Sequence, residues 1–185
     1  MANTVIYLTF IILELLFAMA SCFYIFALLY SSLMGSPYVP TSNKVLKKIL
    51  ERAGLKKGQV FMDLGCGDGR IVRMAAADYG ARAVGIDINP SLIYLSRLKT
   101  RLKKLEGVHF LVQNIYKADL SNADVIYMFL LPKFLVNLKP KLKAETKKNA
   151  LLISHGFKIE GWDKYIVDTL PEKPFPTYYY RLTKG

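Results

Sequence analysis

The residues best suited to bind a ligand lie in one short stretch, residues 63–70, whose sequence is DLGCGDGR. Glycine tolerates positive φ angles and lets a ligand approach the backbone closely, and three glycines fall within this stretch. An apolar segment precedes it and a helix-forming segment follows it, which is typical of ligand-binding turns in α/β proteins. We therefore predict a cofactor-binding turn that contains Gly65, Cys66, Gly67 and Gly69.

The acidic residues of this turn indicate the class of its cofactor. The third glycine stands one residue earlier than in the dinucleotide-binding pattern G-x-G-x-x-G. Asp63 and Asp68 would repel a pyrophosphate, whereas they suit a cationic aminoacyl sulfonium. The turn therefore favours S-adenosylmethionine over NAD.

A further carboxylate follows the next predicted strand. Asp87 ends the segment Gly85-Ile86-Asp87, where an acid can accept hydrogen bonds from both hydroxyls of a ribose. Alone, Asp87 would more often be an ordinary turn or cap residue. The glycine-rich turn and this acid together, in the order strand, turn, helix and strand, predict cofactor binding far more specifically than either does alone.

Alternating apolar and amphipathic segments must position these residues. The sequence predicts strands at 60–64, 83–88, 108–112, 124–130, 150–154, 165–170 and 178–182. It predicts helices from a cap at Thr41 or Ser42 to Gly54, over 70–79, and from Asn89-Pro90 to Gly107. The third helix is indicated by the spacing of Leu95, Leu98, Leu102 and Leu105. A Lys-rich helix between the fourth and fifth strands is expected to be interrupted or kinked by Pro140. The alternation predicts a parallel α/β sheet with helices on its faces.

The N-terminal part differs from the rest of the chain in composition. No charged residue occurs between Leu15 and Met34, and the apolar character begins at Val5. Such a segment can span a bilayer, which needs about 20 residues. Lysine and arginine occur only from Lys44 onward, so the positive-inside rule places the rest of the chain in the cytoplasm. We predict a single-pass membrane protein whose span is Leu15 to Met34, with Glu14 at the outer interface. A span that starts near Val5 would instead place Glu14 within the membrane, where an unpaired carboxyl is costly.

Two other interpretations of the apolar segment stay open. Residues 18–20 resemble a signal-peptidase site and residues 19–22 loosely resemble a lipoprotein cleavage box, although residues 1–9 lack the positive charge of a signal peptide. The other interpretation is a buried core helix, although core helices are rarely apolar over such a length.

The remaining composition sets limits on partners. The chain has 26 Lys and Arg against 14 Asp and Glu, a balance that favours anionic lipid, nucleic acid or acidic protein surfaces without choosing among them. Cys22 and Cys66 stand in an apolar run and in the glycine-rich turn, where they suit neither a disulfide framework nor a metal site.

The turn and the acid that follows it resemble motif I and the next acidic strand end of class I methyltransferases. The resemblance implies a Rossmann-like sheet of strand order 3-2-1-4-5-7-6 and S-adenosylmethionine as cofactor. It also implies these cofactor contacts: Asp63 near the amino group, Gly65, Gly67 and Gly69 along the methionine part, Asp87 at the ribose and Ile88 on the adenine. Asn114, followed by Ile115, stands where many relatives carry an acid near the adenine, and it would bond the adenine or serve as a plain turn residue.

The order of elements is similar to that of the membrane-anchored protein-lysine methyltransferases of adenine nucleotide translocase and of the ATP synthase c-subunit. An apolar span comes first, followed by residues 38–41 (YVPT), motif I and residues 115–121. The resemblance implies methylation of a lysine in a membrane or membrane-associated protein. It divides the chain into an anchor at 1–34, a connector with a leading helix at 35–58 and a methyltransferase domain at 59–185.

Candidate substrate residues lie at the connector and after the fourth and fifth strands. Tyr38, Phe129 and Pro132 are candidates for an apolar pocket that disfavours the ammonium form of lysine; alternatively, Tyr38 packs at the membrane junction and Phe129 in the core. His155 could reach substrate, although a lone histidine near a strand end is more often structural. Residues 129–132 (FLLP) lack the Asn/Asp-Pro-Pro-aromatic element of amino-nucleobase methyltransferases, so nucleic acid is not the expected substrate.

A nucleic-acid methyltransferase stays open through the basic charge of the chain, although the anchor and the missing Asn/Asp-Pro-Pro-aromatic element count against it. Two further alternatives to lysine methylation also stay open at this point. One is a methyltransferase for a lipid or another small amphiphile, on the same fold and anchor. The other is a non-catalytic membrane scaffold that binds the cofactor and docks through the lysines between positions 133 and 148. For these lysines a merely solvated helix face is the equally plain interpretation.

Overall fold

The computed structural model describes residues 2–34 and 40–182, with side chains given for 4–26 and 40–182. The chain divides into two units, Met1–Tyr38 and Val39–Gly185. The first unit contains one helix, α1, Ala2–Met34. Among the described residues, Thr4–Phe26 is long and apolar enough to cross a membrane. The span predicted at 15–34 overlaps this segment, but Glu14 lies inside Thr4–Phe26 and not at its end.

The second unit contains a seven-stranded sheet with helices on its two faces. Its strands are β1 Val60–Leu64, β2 Arg82–Asp87, β3 Val108–Val112, β4 Val125–Met128, β5 Leu151–His155, β6 Ile166–Leu170 and β7 Thr177–Arg181. Its helices are α2 Asn43–Ala53, α3 Arg70–Tyr79, α4 Pro90–Leu102 and α5 Pro132–Glu145, with 3-10 turns at Ile115–Lys117 and Asp163–Tyr165. The strand order is 3-2-1-4-5-7-6, in which β7 pairs antiparallel with both β5 and β6 and the other neighbouring pairs are parallel. The predicted fold class and strand order are confirmed, and most strand ends differ from prediction by one or two residues.

Helix α2 has its start and its end determined by local sequence, and it packs in the core with α3 and the sheet. The Ser42 hydroxyl accepts a hydrogen bond from the Val45 N–H at the start, and Gly54 adopts a left-handed conformation at the end. Between these caps the side chains of Leu46 and Ile49 are buried. They join a core cluster that also contains residues of α3 and of the sheet.

Helix α4 is shorter than predicted and faces the core with other residues. Asn89 caps its start, but it ends at Leu102 and not at Gly107, because Lys104 has a φ of 51° that helical backbone does not permit. The buried residues are Leu92, Ile93, Ser96 and Thr100. The leucines whose spacing predicts the helix, Leu95, Leu98 and Leu102, are exposed.

Helix α5 covers the opposite face of the sheet. It continues through Pro140, so the predicted interruption is absent. Proline removes one backbone donor, and Pro140 lies exposed while Leu138 and Leu142 on either side of it are fully buried. Packing of these leucines into the second core cluster holds the helix together across the proline.

Candidate active site

The predicted cofactor turn lies at the edge where the carboxyl ends of the parallel strands meet, between β1 and α3. The N–H groups of Gly65 and Cys66 both donate to the Ile86 carbonyl, at 2.8 and 3.0 Å, so the turn is bound to the end of β2. Gly65 and Gly67 have φ angles of 84° and 53°, a region that side-chain-bearing residues rarely adopt. The turn therefore presents backbone at the sheet edge where ligands of such folds bind.

Position 69 requires glycine for two reasons, its positive φ of 70° and a close contact that the sequence did not reveal. A Cβ atom at Gly69 would lie 2.3 Å from the Cε1 atom of Phe110, and one at Gly85 would lie 2.7 Å from the same ring. Phe110 is buried on β3. The ring of Phe110 therefore occupies the space behind the turn, while the predicted contact of Gly69 with the cofactor stays a prediction.

Asp87 connects the turn to the start of α4. One carboxylate oxygen accepts a hydrogen bond from the Gly67 N–H at 2.9 Å, and the other accepts one from the Asn89 N–H at 2.8 Å. Burial raises the pKa of Asp87, and these backbone donors act against the rise. Each carboxylate oxygen can accept a second hydrogen bond, so the predicted ribose contact is compatible with this positioning role.

Asp63 is the one acidic side chain of the described site with a buried carboxyl oxygen that has no hydrogen-bond partner. It is only 3% exposed, and its Oδ1 atom has no hydrogen-bond partner among the described residues. Burial raises the pKa of Asp63 well above its usual value, and the nearby carboxylates Asp87 and Asp68 raise it further. A buried acceptor without a donor is unfavourable. The cationic amino group of S-adenosylmethionine would supply both the donor and the opposite charge, so the residues present fit this cofactor.

Asp68 is compensated by the protein itself. Arg70 Nε lies 2.9 Å from one carboxylate oxygen and Lys99 Nζ lies 3.2 Å from the other. Burial would raise the pKa of Asp68, but the hydrogen bonds and charges of Arg70 and Lys99 lower it below its usual value. The electrostatic argument for a cationic ligand therefore rests on Asp63 and no longer on Asp68.

The predicted adenine side is less strongly organised. Asn114 Oδ1 accepts a hydrogen bond from the Tyr116 N–H at 2.9 Å and begins the 3-10 turn after β3. This is the turn role that the sequence left open. Ile88 and Ile115 are both half-buried, and their contacts with an adenine stay predictions.

An aromatic cluster formed by Phe129, His155 and Phe175 lies at the carboxyl ends of β4 and β5, where Phe129 follows β4 and His155 is the last residue of β5. The ring centroid of Phe129 is 4.6 Å from that of His155 and 5.3 Å from that of Phe175. A Cβ atom at Gly156 would lie 2.8 Å from the Phe129 ring, and the Gly156 N–H donates to the Pro176 carbonyl at 2.7 Å. Gly156 thus seats the ring and holds the β6–β7 loop that carries Phe175.

His155 is the buried member of this cluster. It is 1% exposed, and its Nδ1 atom lies 2.8 Å from Thr177 Oγ1. Burial lowers the pKa of His155 to about 4, so the ring is neutral at neutral pH and is a weak base. This geometry favours a packing role, and a direct catalytic role stays a prediction.

Not all predicted substrate residues meet at this place. Phe129 and His155 are brought together, and Phe175 was missed because a lone aromatic residue in the proline-rich loop 171–176 carries no periodic signal. Pro132 is exposed at the first turn of α5. Tyr38 lies outside the described residues.

Several lysines between positions 133 and 148 are bound within the protein. Lys141 pairs with Glu145 at 2.6 Å and Lys147 with Asp124 at 2.7 Å, while Lys139 donates to the Glu160 carbonyl at 2.8 Å. These contacts reduce the charge available to a docking partner. Among the described residues there is no group of three or more side chains that could hold a metal ion.

Comparison with known proteins gives consistent results. The family model of the ANTKMT methyltransferase domain matches residues 63–165. The chain is 40% identical over 129 residues to a protein-lysine N-methyltransferase of Saccharolobus islandicus (strain REY15A), an alignment that covers 69% of this chain and 80% of that protein. It is 35% identical over 130 residues to the lysine N-methyltransferase of the ATP synthase c-subunit from Xenopus laevis, covering 68% of this chain and 55% of that protein, so it spans about half of that relative.

A solved methyltransferase structure also matches this chain. The crystal structure of an RNA methyltransferase from Salinibacter ruber in complex with S-adenosyl-L-homocysteine matches with a TM-score of 0.76 and 32% sequence identity. The match covers 80% of this chain and 95% of that one.

Proposed function

This chain belongs to the ANTKMT methyltransferase family and is an S-adenosylmethionine-dependent methyltransferase, and we propose that it methylates a lysine side chain of a membrane or membrane-associated protein. The observation that carries the proposal is the 40% identity to a protein-lysine N-methyltransferase over 80% of that relative's length. The aromatic cluster and the apolar helix α1 support the choice of substrate and of location.

The chain's contribution to the chemistry is mainly alignment. S-adenosylmethionine supplies a methyl group that is activated by attachment to a positively charged sulfur. Asp63 would hold the cationic amino group, and Asp87 with the turn backbone would fix the remainder at the edge of the sheet. Correct alignment of a nucleophile with a bound group can provide most of the rate enhancement of a displacement, so no strong base is needed on the protein.

The aromatic cluster would act on the protonation of the substrate. A lysine side chain has a pKa of about 10.4 in water and must lose its proton before its nitrogen can attack. Phe129 and Phe175 offer apolar surface, and neutral His155 adds no charge beside them. Burial of an amine in such surroundings disfavours its charged form. The cluster would thereby raise the fraction of reactive amine without a general base.

The proposed location follows from the first unit and from the charge distribution. Thr4–Phe26 meets the length and composition of a membrane span, and every Lys and Arg follows it in the sequence. By the positive-inside rule the second unit then lies on the cytoplasmic side. An anchored enzyme reaches substrates at the bilayer surface, which restricts it to membrane and membrane-associated proteins.

The test uses the full chain and an Asp87→Ala variant as control. Both are incubated with membranes and methyl-labelled S-adenosylmethionine, and the label is then separated into protein, lipid and nucleic acid. Label on a lysine of a membrane protein, absent with the variant, would support the proposal. Label in lipid would support the amphiphile alternative, and cofactor binding without any transfer would support the scaffold.

RNA methylation is the second candidate function. It is favoured by the 32% identity to the Salinibacter ruber RNA methyltransferase over 95% of that chain and by the net charge of +12. Against it stands the sequence FLLP at residues 129–132, which lacks the element that holds an exocyclic base amine. In the same assay, label that becomes soluble on ribonuclease treatment would support this candidate.

A further inference from the structure

Helix α4 presents apolar residues on two opposite faces. Successive helical residues are rotated by about 100°, which places buried Ile93 and Ser96 on one side and Leu98 and Leu102 on the other. The outward side chains of Tyr94, Leu95, Leu98 and Leu102, here named the α4 leucine face, are exposed by 36% to 75%. A surface helix normally carries polar residues on its outer face, and a contiguous apolar patch there marks an interaction site.

Basic residues flank this face. Residues 90–104 contain no acidic residue, and their basic residues are Arg97, Lys99, Arg101, Lys103 and Lys104. Arg97 donates to the Phe110 carbonyl and Lys99 pairs with Asp68. These contacts hold both side chains beside the α4 leucine face. Arg101, Lys103 and Lys104 are exposed at the end of the helix. An apolar stripe bordered by cations is the pattern of helices that lie in the interface of an anionic bilayer.

We infer that the α4 leucine face is a docking surface for an anionic lipid bilayer. The leucines would enter the boundary between head groups and acyl chains, and Arg101, Lys103 and Lys104 would contact the anionic head groups. The charge of the helix is complementary to such a surface, and the apolar helix α1 gives the same chain a means to stay near a membrane. The inference goes beyond the proposed lysine methylation, because it concerns a surface separate from the aromatic cluster.

Docking through α4 would also set the orientation of the active site. Asn89, which caps the start of the helix, donates its N–H to Asp87, and Lys99 within the helix is bound to Asp68 in the cofactor turn. A bilayer that holds α4 therefore holds the turn at a fixed height above the membrane surface.

The test places a tryptophan on the proposed face of the full chain. Leu102→Trp and the matched control Val167→Trp both alter exposed positions, on α4 and on β6 at the opposite edge of the sheet. The native Trp162 is buried and gives a constant background. With vesicles of brominated phosphatidylglycerol and phosphatidylcholine, we expect the added tryptophan at position 102 to lose about half of its emission and the one at position 167 to be unaffected. Equal emission changes at both positions, or none at position 102, would overturn the inference.

A second variant and a flotation assay separate this inference from the proposed anchor. Leu98→Ser combined with Leu102→Ser should remove binding through α4, and unchanged affinity for S-adenosylhomocysteine would show that the variant is folded. A protein that floats with vesicles but shows no quenching at position 102 retains the anchor and overturns the docking surface. Three results together would support the docking surface and contradict the anchor. The protein would float only with anionic vesicles, the tryptophan at position 102 would be quenched, and the double variant would no longer float. If the emission of the tryptophan at position 102 shifts to the blue without lipid, and the shift increases with protein concentration, the face mediates self-association and the inference is overturned.

Discussion

The cofactor turn and the aromatic cluster both lie at the carboxyl ends of the parallel strands, but they are built in opposite ways. The turn comes from one continuous stretch, residues 63–70, and works through backbone groups and carboxylates. The aromatic cluster brings together Phe129, His155 and Phe175 from three separate segments and works through apolar surface. The proposed cofactor site is thus encoded locally in this chain, whereas the proposed substrate surface is a product of the fold.

The two regions should respond differently to substitution. Changes in the turn should affect stability and cofactor affinity, because its backbone conformation and its carboxylates are both fixed by near neighbours. Changes in the aromatic cluster should affect methyl transfer with little effect on cofactor affinity. Each of the following experiments can contradict or refine that division.

The strongest effect is expected for Gly69→Ala. The added methyl group would meet the ring of Phe110 at 2.3 Å, at a backbone φ of 70°. Overpacking and left-handed strain together should lower the free energy of unfolding by about 3–4 kcal/mol. Thermal unfolding of the purified chain, followed by circular dichroism, measures this loss.

Gly107→Ala is the matched control for that variant. Gly107 has nearly the same φ, 68°, but a Cβ atom there would have nothing within 4 Å. Its cost should be the conformational part alone, about 1 kcal/mol. Equal destabilisation by the two substitutions would show that Phe110 does not determine the choice of glycine behind the turn.

The next effect in size concerns Asp87→Ala. The substitution removes the acceptors of the Gly67 and Asn89 N–H groups together with the predicted ribose contact. Charge-assisted hydrogen bonds contribute about 1.5–3 kcal/mol each, so affinity for S-adenosylmethionine should fall about 100-fold. Isothermal titration calorimetry gives the affinity directly.

Asp124→Ala serves as the comparison for Asp87→Ala. Asp124 also accepts a backbone hydrogen bond, from the Val60 N–H at 2.7 Å, but it precedes β4 at the amino ends of the strands. We expect cofactor affinity to be unchanged in this variant. An equal fall in both would mean that Asp87 acts only through general stability.

The accuracy of the sequence-based prediction differs between these two regions for the same physical reason. The turn, Asp87 and the parallel sheet follow from glycine spacing and from the alternation of strands and helices, all of which act over short distances in the chain, whereas the strand order followed only from the resemblance to class I methyltransferases. The buried face of α4 could not be predicted from the sequence, because Leu95, Leu98 and Leu102 give a stronger helical period than the core residues Leu92 and Ile93. A period predicts a helix but does not say which of two apolar faces meets the core.

Residues that contact across distant segments were the hardest to predict. Phe110 fills the space behind Gly69 from another strand, and Phe175 reaches Phe129 from the β6–β7 loop. Neither has a sequence motif of its own, because packing partners are selected by shape and not by spacing. For the same reason the sequence did not show that Arg70 and Lys99 compensate Asp68.

A pH experiment tests the burial of His155. Burial lowers its pKa to about 4 in the folded chain, whereas an unfolded histidine titrates near a pKa of about 6.5. The unfolded state therefore binds the proton first, and stability is lost as the pH falls below about 6.5 toward 4. Between about pH 7 and pH 5 the loss from this group should be about 2 kcal/mol.

The variant His155→Phe isolates this contribution, because all other titrating groups are common to both proteins. The difference in unfolding free energy between the original chain and the variant should depend on pH only where His155 does. A difference that stays constant over that pH interval would mean that His155 is solvated enough to titrate normally, and the aromatic cluster would then be less apolar than the structure indicates.

The weakest effect is expected from Phe175→Ala. Phe175 is half-buried and contributes one wall of the cluster, so its loss should leave the fold and the cofactor turn intact. Reduced apolar surface around the amine should lower the rate of methyl transfer to membrane protein about tenfold, equivalent to about 1.4 kcal/mol. Affinity for S-adenosylmethionine, measured by calorimetry, should stay the same.

Val167→Ala provides the reference, since Val167 is exposed on β6 of the same β6–β7 pair but outside the cluster. Its transfer rate should match that of the original chain. If Phe175→Ala weakens cofactor binding as much as it slows transfer, the two regions are energetically coupled, and the division between a local cofactor site and a fold-dependent substrate surface does not hold. If it slows transfer alone, and by more at low pH where the amine is more fully protonated, the cluster acts on the protonation of the lysine.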